Sequence, residues 1–407
     1  MVMNMNVKNA TGNTKIREDH KREILNHIRK SGPVSRTEIY EKTNISKPTV
    51  TRVIEELIKE GIIKETGVGE SLVGRRPVNI ELNPDACYCI GVNISRNSIN
   101  ASVVNIGMNV VLSKSASIKG INSVSVFEDT VLQIVRNLIK ESGIDREKIL
   151  GIGIGVPGIV DYREGVILDF ALVHNLTDVH LGEYLQGKLG LRVFIDNNAN
   201  TRALGEYWYG YGAGFNSIIF VICSEGVGSG IITDGMLLRS NNNVISGLGH
   251  MTVNVDGRKC SCGKYGCIEA YCSTEAVERI TGEALKRGRE SMLMEKVDKG
   301  IEAIDYRTIC KSAGEGDPLC IERLDETAFI LSTGLSNLIG IFNPEIIILS
   351  GNLFDASDYF YKSVVEMTRQ KLFKPLFKNI AFRKRNVKDS LYEIGAATMV
   401  LKDFFKD

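Results

Sequence analysis

The sequence contains no run of apolar residues long enough to cross a bilayer, and residues 1–23, MVMNMNVKNATGNTKIREDHKRE, are polar. A bilayer crossing needs about 20 consecutive apolar residues, and a secretory signal peptide needs an apolar segment of about 7–15 residues. We therefore expect a cytoplasmic protein with no membrane partner. Because thiols stay reduced in that compartment, the nine cysteines do not indicate a disulfide framework.

The formal net charge of +1 indicates neither an acidic nor a basic partner, but the charges are unevenly distributed. Residues 1–80 hold 15 Lys and Arg against 10 Asp and Glu, whereas the rest of the chain holds 35 against 39. A basic segment joined to a slightly acidic one favours a nucleic-acid-binding module followed by a different domain. The 407 residues are enough to bury two or three hydrophobic cores.

Residues 20–65, HKREILNHIRKSGPVSRTEIYEKTNISKPTVTRVIEELIKEGIIKE, predict three helices, with Ser35 and Ser46 as N-caps of the second and third. Apolar residues recur at the helical period in the third helix, so one face packs against the other two helices. Polar residues in the first turns of such a helix contact bases and phosphates in the major groove. The candidate DNA contacts are Ser46, Lys47, Thr49, Thr51 and Arg52. A solvated helix face is the alternative interpretation.

Two β-like stretches, IIKET and PVNIEL, follow the third helix and are joined by GVGESLVGRRP. This order predicts a winged helix-turn-helix over residues 1–82, ending near Asn83 and Pro84. The wing carries Arg75 and Arg76. An extended cationic segment suits the minor groove, where the negative potential attracts arginine, so both residues are candidate DNA contacts.

Four of the nine cysteines lie in CSCGKYGCIEAYC, residues 260–272. Cys260, Cys262 and Cys267 supply three thiols in a glycine-containing loop, and His250 lies ten residues upstream of the first. A Cys3His set is typical of a closed tetrahedral zinc site with a structural role. Unpaired buried thiols beside a hydrogen-bonded histidine are the alternative interpretation.

From residue 87 onward, apolar β-type runs alternate with helical patterns, which predicts an α/β domain of two lobes with a cleft between them. The strand candidates are CYCIGVNI, NASVVNIG, ILGIGIGVPGIV, RVFIDN, SIIFVICS, GSGIITDG and EIIILSG. The helix candidates lie near residues 122–141, 181–189, 197–210, 274–289, 317–341, 357–372 and 391–406. Glycine-rich strand ends such as SEGVGSG are typical of backbone that a ligand approaches closely, although tight turns alone also produce them.

Five motifs in order behind the winged helix resemble the ROK family, which gathers sugar kinases and sugar-responsive repressors. They are GIGIGVPGIVD, IDNNANTRALGEYWYG, SEGVGSGIITDGML, GLGHMTVNVDGRKCSCGKYGCIEAYCS and NPEIIILSGNLF. The resemblance covers essentially the whole chain and is greatest to the regulators called xylose-repressor-like. It implies an actin/hexokinase-like domain over residues 83–407 and a structural zinc in the loop 250–267, bound by His250, Cys260, Cys262 and Cys267. The implied sugar-binding residues are Asn175, Asn197, Asn198, His250 and Glu269.

The chain departs from the kinases of that family at the residues that bind ATP and activate the sugar. Their Asp-x-Gly-Gly-Thr phosphate loop corresponds to NISRN, so Asn93 replaces the acidic residue, and Ser95 and Arg96 replace the glycines. Their catalytic aspartate corresponds to Asn198, whose amide cannot accept a proton from a sugar hydroxyl. Glu225, in the second phosphate loop, places a negative charge where a triphosphate would lie. We therefore predict that the protein is not an enzyme.

The function predicted from these residues is a repressor that binds operator DNA and is released by a small sugar, pentose or glucose-like. An active sugar kinase with an appended regulatory module is the first alternative. The second is a constitutive DNA-binding dimer without a sugar effector, which Gly247 favours because the kinases and many regulators of the family have a sugar-binding glutamate there. Since one winged helix contacts few base pairs, we expect a homodimer on double-stranded DNA.

Overall fold

The computed structural model describes residues 12–68, 78–170, 177–240, 247–296, 300–373, 380–386 and 391–405. The described residues divide into two compact units. Unit 1 comprises the residues up to Asp196 together with those from Glu393 onward, and unit 2 comprises Asn197–Tyr392. Within the described part of the chain, no helix is both long enough and apolar enough to cross a bilayer.

Unit 1 begins with the three helices and two strands predicted for a winged helix, together with a short first strand, which was not predicted. These are α1 (Gly12–Ser31), β1 (Val34–Ser35), α2 (Arg36–Thr43), α3 (Lys47–Lys59), β2 (Ile63–Val68) and β3 (Val78–Leu82), whose strands pair in the order β1-β3-β2. Ser35 caps α2 as predicted: its hydroxyl accepts from the Glu38 amide, and the Glu38 carboxylate accepts from the Ser35 amide. Ser46 occupies the N-cap position of α3, but its hydroxyl lies 2.9 Å from that of Thr49 and caps no backbone amide.

The rest of unit 1 is built on a larger sheet. Its elements are β4 (Tyr88–Ile94), β5 (Ser98–Asn105), β6 (Val110–Ser117), α4 (Val124–Ser142), β7 (Ile149–Val156), β8 (Ile159–Asp161), β9 (Val166–Asp169), β10 (Thr177–Val179), α5 (Leu181–Leu189) and β11 (Val193–Asn197). The described strands form one sheet of order β11-β7-β4-β5-β6 and a smaller one of order β10-β9-β8. Every residue of β4 and β7 is buried, as expected for central strands covered on both faces.

Unit 2 contains a second sheet with helices around it. Its elements are α6 (Asn198–Tyr209), β12 (Ile218–Cys223), β13 (Val227–Thr233), β14 (Met236–Leu237), α7 (Glu269–Cys272), α8 (Thr274–Lys286), α9 (Leu293–Lys296), α10 (Tyr306–Gly314), α11 (Pro318–Phe342), β15 (Ile346–Ser350), α12 (Asn352–Ala356), α13 (Asp358–Lys371) and β16 (Ala381–Arg385). The described strands follow the order β14-β13-β12-β15-β16. Strands β12 and β15 run parallel and are almost entirely buried, and their side chains contribute to an extensive apolar core.

The helix α14 (Leu391–Phe405) begins with the last two residues of unit 2 and continues in unit 1. In unit 1 it packs directly on the backbone of the larger sheet. A Cβ on Gly91 of β4 would stand 1.8 Å from the carbonyl oxygen of Glu393, and one on Gly153 of β7 would stand 1.8 Å from that of Ala396. Glycine at these two positions therefore leaves the space that α14 needs to pack on β4 and β7.

The predicted strands and helices after residue 87 are present, with ILGIGIGVPGIV divided into β7 and β8. Sequence patterns did not identify the strands β6, β9, β10, β14 and β16 or the helices α7, α9, α10 and α12. Strand β6 alternates half-buried and exposed residues along SKSAS, and β16 carries three basic residues in AFRKR. Both strands lie at a sheet edge within the described residues, where burial imposes a weaker apolar pattern.

Candidate functional site

The predicted DNA-binding residues of α3 lie on its solvent-facing side. Val50, Val53, Ile54 and Leu57 are buried against the neighbouring elements. The candidate contacts Ser46, Lys47, Thr51 and Arg52 are exposed, and Thr49 is half-buried. The first turns of α3 thus present hydroxyl groups and cationic side chains to solvent. Arg75 and Arg76 of the predicted wing lie outside the described residues.

The predicted metal-binding residues come together in one cluster. The ligand atoms of His250, Cys260, Cys262 and Cys267 all lie within 4.8 Å of one another. Lys259 and Tyr265 form an isolated antiparallel bridge, as do Thr252 and Cys267, so the loop folds back on itself. This folding brings together residues up to 17 positions apart.

The spacing of the donor atoms fits a tetrahedral zinc ion. Bonds of about 2.3 Å to sulfur and about 2.0 Å to nitrogen would separate neighbouring ligand atoms by about 3.5–3.8 Å. Cys262 Sγ lies 3.7 Å from Cys267 Sγ, and Cys260 Sγ lies 3.7 Å from His250 Nδ1. The remaining cysteines of the chain are all buried, and none of them belongs to the cluster found among the described residues.

The three thiols of the cluster differ in pKa. Burial raises the pKa of the Cys267 thiol to about 12 and also raises the pKa of Cys260. Burial opposes ionisation of Cys262 too, but hydrogen bonds from the Lys264 amide and the neighbouring thiols hold its pKa below the usual value. Because the thiolate is the form that binds metal, a cation in this cluster must displace protons from buried sulfur.

Glu269 connects the cluster to the glycine-rich loop before β13. One carboxylate oxygen accepts the backbone N–H of Val227 at 3.0 Å. The other accepts the hydroxyl of Ser261, which lies between two of the candidate ligands, at 3.4 Å. The carboxylate therefore holds the SEGVGSG loop against the metal-binding loop.

The start of β13 brings several candidate sugar-binding segments together. Helix α6 packs so closely on β13 that a Cβ on Gly230 would stand 2.3 Å from the carbonyl oxygen of Ala199, the residue after Asn198. The amide of Leu248, two residues before His250, donates to the hydroxyl of Ser229 at 3.2 Å. Asn197, Asn198, His250 and Glu269 thus lie on segments that all contact β13 or the loop before it. Asn175 lies outside the described residues.

The two segments that resemble phosphate loops form hydrogen bonds with other residues of the chain. The Ser95 hydroxyl donates to the Ser98 carbonyl at 3.0 Å, and both Ser95 and Arg96 keep φ angles outside the left-handed region. In the second loop, the Glu225 carboxylate accepts from the Asn352 side chain at 3.3 Å. With Glu269 bonded to Val227, two carboxylates border this loop. Their charge disfavours a triphosphate.

Gly247 has a backbone conformation that a glutamate would not adopt without strain. Its φ of 63° and ψ of −177° lie in a region populated almost only by glycine. A side chain would have room there, since a Cβ at this position would lie 3.7 Å from its nearest neighbour, the amide nitrogen of Ser229. The backbone conformation, and not a lack of space, therefore disfavours a glutamate at this position.

The chain matches two known protein families. Residues 89–403 match the ROK family, and residues 17–64 match a winged helix-turn-helix DNA-binding family. The chain belongs to the ROK family. The predicted fold class, a winged helix-turn-helix followed by an α/β ROK domain, is confirmed.

The ROK chain is similar to curated and solved proteins over most of its length. It is 31% identical to a xylose repressor of Caldicellulosiruptor bescii over 392 residues, which cover 96% of this chain and 97% of the relative. A solved ROK family transcriptional regulator, described as a homologue of the E. coli MLC protein, is 24% identical, with a TM-score of 0.82 over 96% of this chain and 97% of its own. A ROK hexokinase from Thermus thermophilus is 23% identical, with a TM-score of 0.67 over 79% of this chain and 100% of its own.

Three polar residues that the sequence analysis did not single out lie on α6 and in the first turn of α14. Arg202 and Glu206 lie one and two turns after Asn198 on the same face of α6, and Tyr392 lies in the first turn of α14. The guanidinium carbon of Arg202 stands 3.7 Å from the centre of the Tyr392 ring. The four-residue spacing in NANTRALGE was the signal available for the first two. No sequence signal identified Tyr392.

Proposed function

We propose that this ROK protein is a transcriptional repressor that binds operator DNA through α3 and the wing and is released by a small sugar. It is a regulator and not an enzyme. The observation that carries the proposal is the exposed polar and basic side chains in the first turns of α3, combined with a ROK domain in which Ser95, Arg96 and Glu225 occupy the segments that resemble phosphate loops. The name of the C. bescii relative supports the same function, and xylose is therefore the first sugar to test, with glucose second.

The candidate sugar-binding residues are Asn175, Asn197, Asn198, His250 and Glu269. The asparagine amides supply donors and acceptors for hydroxyl groups, and the Glu269 carboxylate accepts them. Asn198 holds a sugar hydroxyl without removing its proton, because an amide is not a base at neutral pH. Sugar binding therefore changes the conformational state of the protein and does not lead to phosphorylation of the sugar.

The Cys3His cluster binds one zinc ion with a structural role. Four protein ligands complete a tetrahedral shell and leave no position for a substrate. The ion would order the loop of residues 250–267 and with it the position of Ser261, whose hydroxyl donates to Glu269. Metal binding and sugar binding are thus connected through one hydrogen bond.

The active form is a homodimer on double-stranded DNA. A single winged helix buries a small area, and two copies on two half-sites supply the affinity of a specific repressor. The domain boundaries that fit this function are residues 1–82 for DNA binding and 83–407 for sugar sensing. The protein acts in the cytoplasm, where both operator and sugar are available.

The test is operator binding by the full chain, titrated with sugar. Operator sequences would first be selected from random duplex DNA, and affinity would be measured by fluorescence anisotropy with xylose, glucose or no sugar. We expect one of the sugars to weaken binding, and Glu269→Gln to reduce that response. If no sugar alters DNA affinity, the protein is the constitutive DNA-binding dimer that Gly247 favours.

A further inference from the structure

Helix α6 connects the candidate sugar site to the first turn of α14. Asn198, Arg202 and Glu206 are spaced four residues apart and lie on one face of α6. Arg202 stacks on the ring of Tyr392 with its guanidinium carbon 3.7 Å from the ring centre. The Tyr392 hydroxyl is also 2.9 Å from the hydroxyl of Ser350, at the end of β15. The first turn of α14 is therefore held by the helix that begins with Asn198.

The other end of α14 contacts the DNA-binding module. The side-chain amide of Asn26, in α1, donates to the carbonyl of Phe405 at 3.3 Å. The guanidinium carbon of Arg29, one turn later, lies 5.4 Å from the centre of the Phe405 ring. Phe405 is 1% exposed. A cation over an aromatic face in a partly desolvated setting is a favourable contact.

Helix α1 is in turn attached to the DNA-contacting helix α3. The ammonium group of Lys21 lies 2.8 Å and 2.9 Å from the two carboxylate oxygens of Glu60, and Arg17 lies 2.6 Å from a carboxylate oxygen of Glu56. The Lys21 side chain is only 6% exposed. A displacement of α1 therefore carries α3 with it.

We propose that α14 couples the candidate sugar site to the DNA-binding helix α3. This inference rests on the proposed function. A sugar held by Asn198 shifts the start of α6, Arg202 passes the shift to Tyr392, and α14 transmits it to α1 through Phe405. The helix is a rigid rod about 22 Å long at 1.5 Å per residue.

The packing of α14 in unit 1 suits this role. Where Gly91 and Gly153 lie beneath the helix, no side chain projects from the strands to interlock with it. Packed helices can move by small shear displacements relative to the elements they contact. The shift is limited by the difference between the sugar's affinities for the two states.

The experiment removes the contact between α1 and α14 without changing the residues that are proposed to bind DNA or sugar. The variant Asn26→Ala/Arg29→Ala removes the contact of α1 with Phe405 and leaves α3 and the candidate sugar residues unchanged. Arg36→Ala is the matched control, because it removes a guanidinium of the same module that pairs with Glu65 and not with α14. Each chain is tested for operator affinity without sugar, for xylose and glucose binding by calorimetry, and for operator affinity at saturating sugar.

We expect a change in operator affinity of about 5–150-fold on sugar binding by the unmodified chain and the control, as is usual for coupled sites. The double variant should bind both ligands and show a change of less than about two-fold. Tyr392→Leu, at the other end of α14, should uncouple the sites in the same way, and it serves if the first variant does not fold. Tyr392→Phe keeps the ring over Arg202 and should retain most of the response.

A full sugar response in both uncoupling variants would overturn the role of α14 and leave the proposed function intact. If the unmodified chain binds a sugar without any change in operator affinity, both the proposed function and the coupling are wrong. The behaviour of the unmodified chain therefore distinguishes the two failures.

Discussion

The buried carboxylate of Glu206 is paired with the guanidinium of Arg385, with Nε 2.5 Å from Oε1 and Nη2 3.1 Å from Oε2. The Glu206 side chain is 1% exposed, and its second oxygen also accepts the Tyr211 amide at 2.8 Å. The pair joins α6 to β16 in unit 2. It fixes the end of the helix whose beginning carries Asn198.

Replacing Arg385 with methionine should destabilise unit 2 by about 3–5 kcal/mol, because it leaves a charged carboxylate buried without its partner. Urea unfolding followed by circular dichroism measures the loss. The double variant Glu206→Gln/Arg385→Met removes the charge as well and should recover much of that stability. If the double variant is as unstable as the single one, the charge is not the cause.

The variant Cys262→Ser should lose most of the zinc that we expect at about one ion per chain. Elemental analysis of protein purified without chelator measures the metal. A chelator should lower the melting temperature of the unmodified chain and have little further effect on the variant. Cys320→Ser, a buried cysteine outside the cluster, is the control and should retain its metal. Unmodified protein without zinc would show that the cluster holds only thiols.

Arg52→Ala should weaken operator binding by about 1–3 kcal/mol and relax specificity at one base pair, because Arg52 is exposed in the second turn of α3. Lys59→Ala, in the last turn of the same helix, is the matched control. Affinity is measured on the selected operator and on each single-base variant of it. A uniform loss of affinity across all sequences would indicate that Arg52 contacts a phosphate and not a base.

The variant Arg75→Ala/Arg76→Ala should lower both the affinity for the operator and the salt dependence of that affinity.

The unmodified chain should not phosphorylate any sugar, and Asn198→Asp should not restore activity. The carboxylate alone is insufficient, because Ser95 and Arg96 still replace the glycines of the first phosphate loop, and Glu225 still borders the second. A coupled assay of ADP release across hexoses and pentoses checks both chains. Turnover above background by the unmodified chain would contradict the assignment as a regulator.

The variant Gly247→Glu should be less stable by about 1–3 kcal/mol, because a non-glycine residue would have to adopt the backbone angles seen at this position. Thermal and urea unfolding measure the cost. Gly247→Ala is the matched control and should carry most of the same penalty, since the strain resides in the backbone. A stable glutamate variant that binds xylose more tightly would show that the loop readily changes conformation.

Local sequence patterns were sufficient to predict much of the fold and several of the candidate site residues. The three helices of the DNA-binding module, the capping box at Ser35 and the buried face of α3 follow from spacing and side-chain chemistry over a few residues. The grouping of the candidate metal ligands was also predictable, because Cys260, Cys262 and Cys267 lie within eight residues. The departures from the kinases, at Asn93 and Asn198, are visible as single letters in recognisable motifs.

The tertiary structure alone decided which distant groups share a contact. Nothing in the sequence relates Arg202 to Tyr392, Glu206 to Arg385, or Asn26 to Phe405, because these pairs are separated by 179 residues or more. Their meeting depends on how sheets, α6 and α14 pack, and packing is a property of the whole folded chain. The same holds for Glu269, whose hydrogen bond to Val227 spans 42 residues. Local spacing therefore predicted the candidate DNA-binding and metal-binding residues, whereas packing decided which distant residues contact one another.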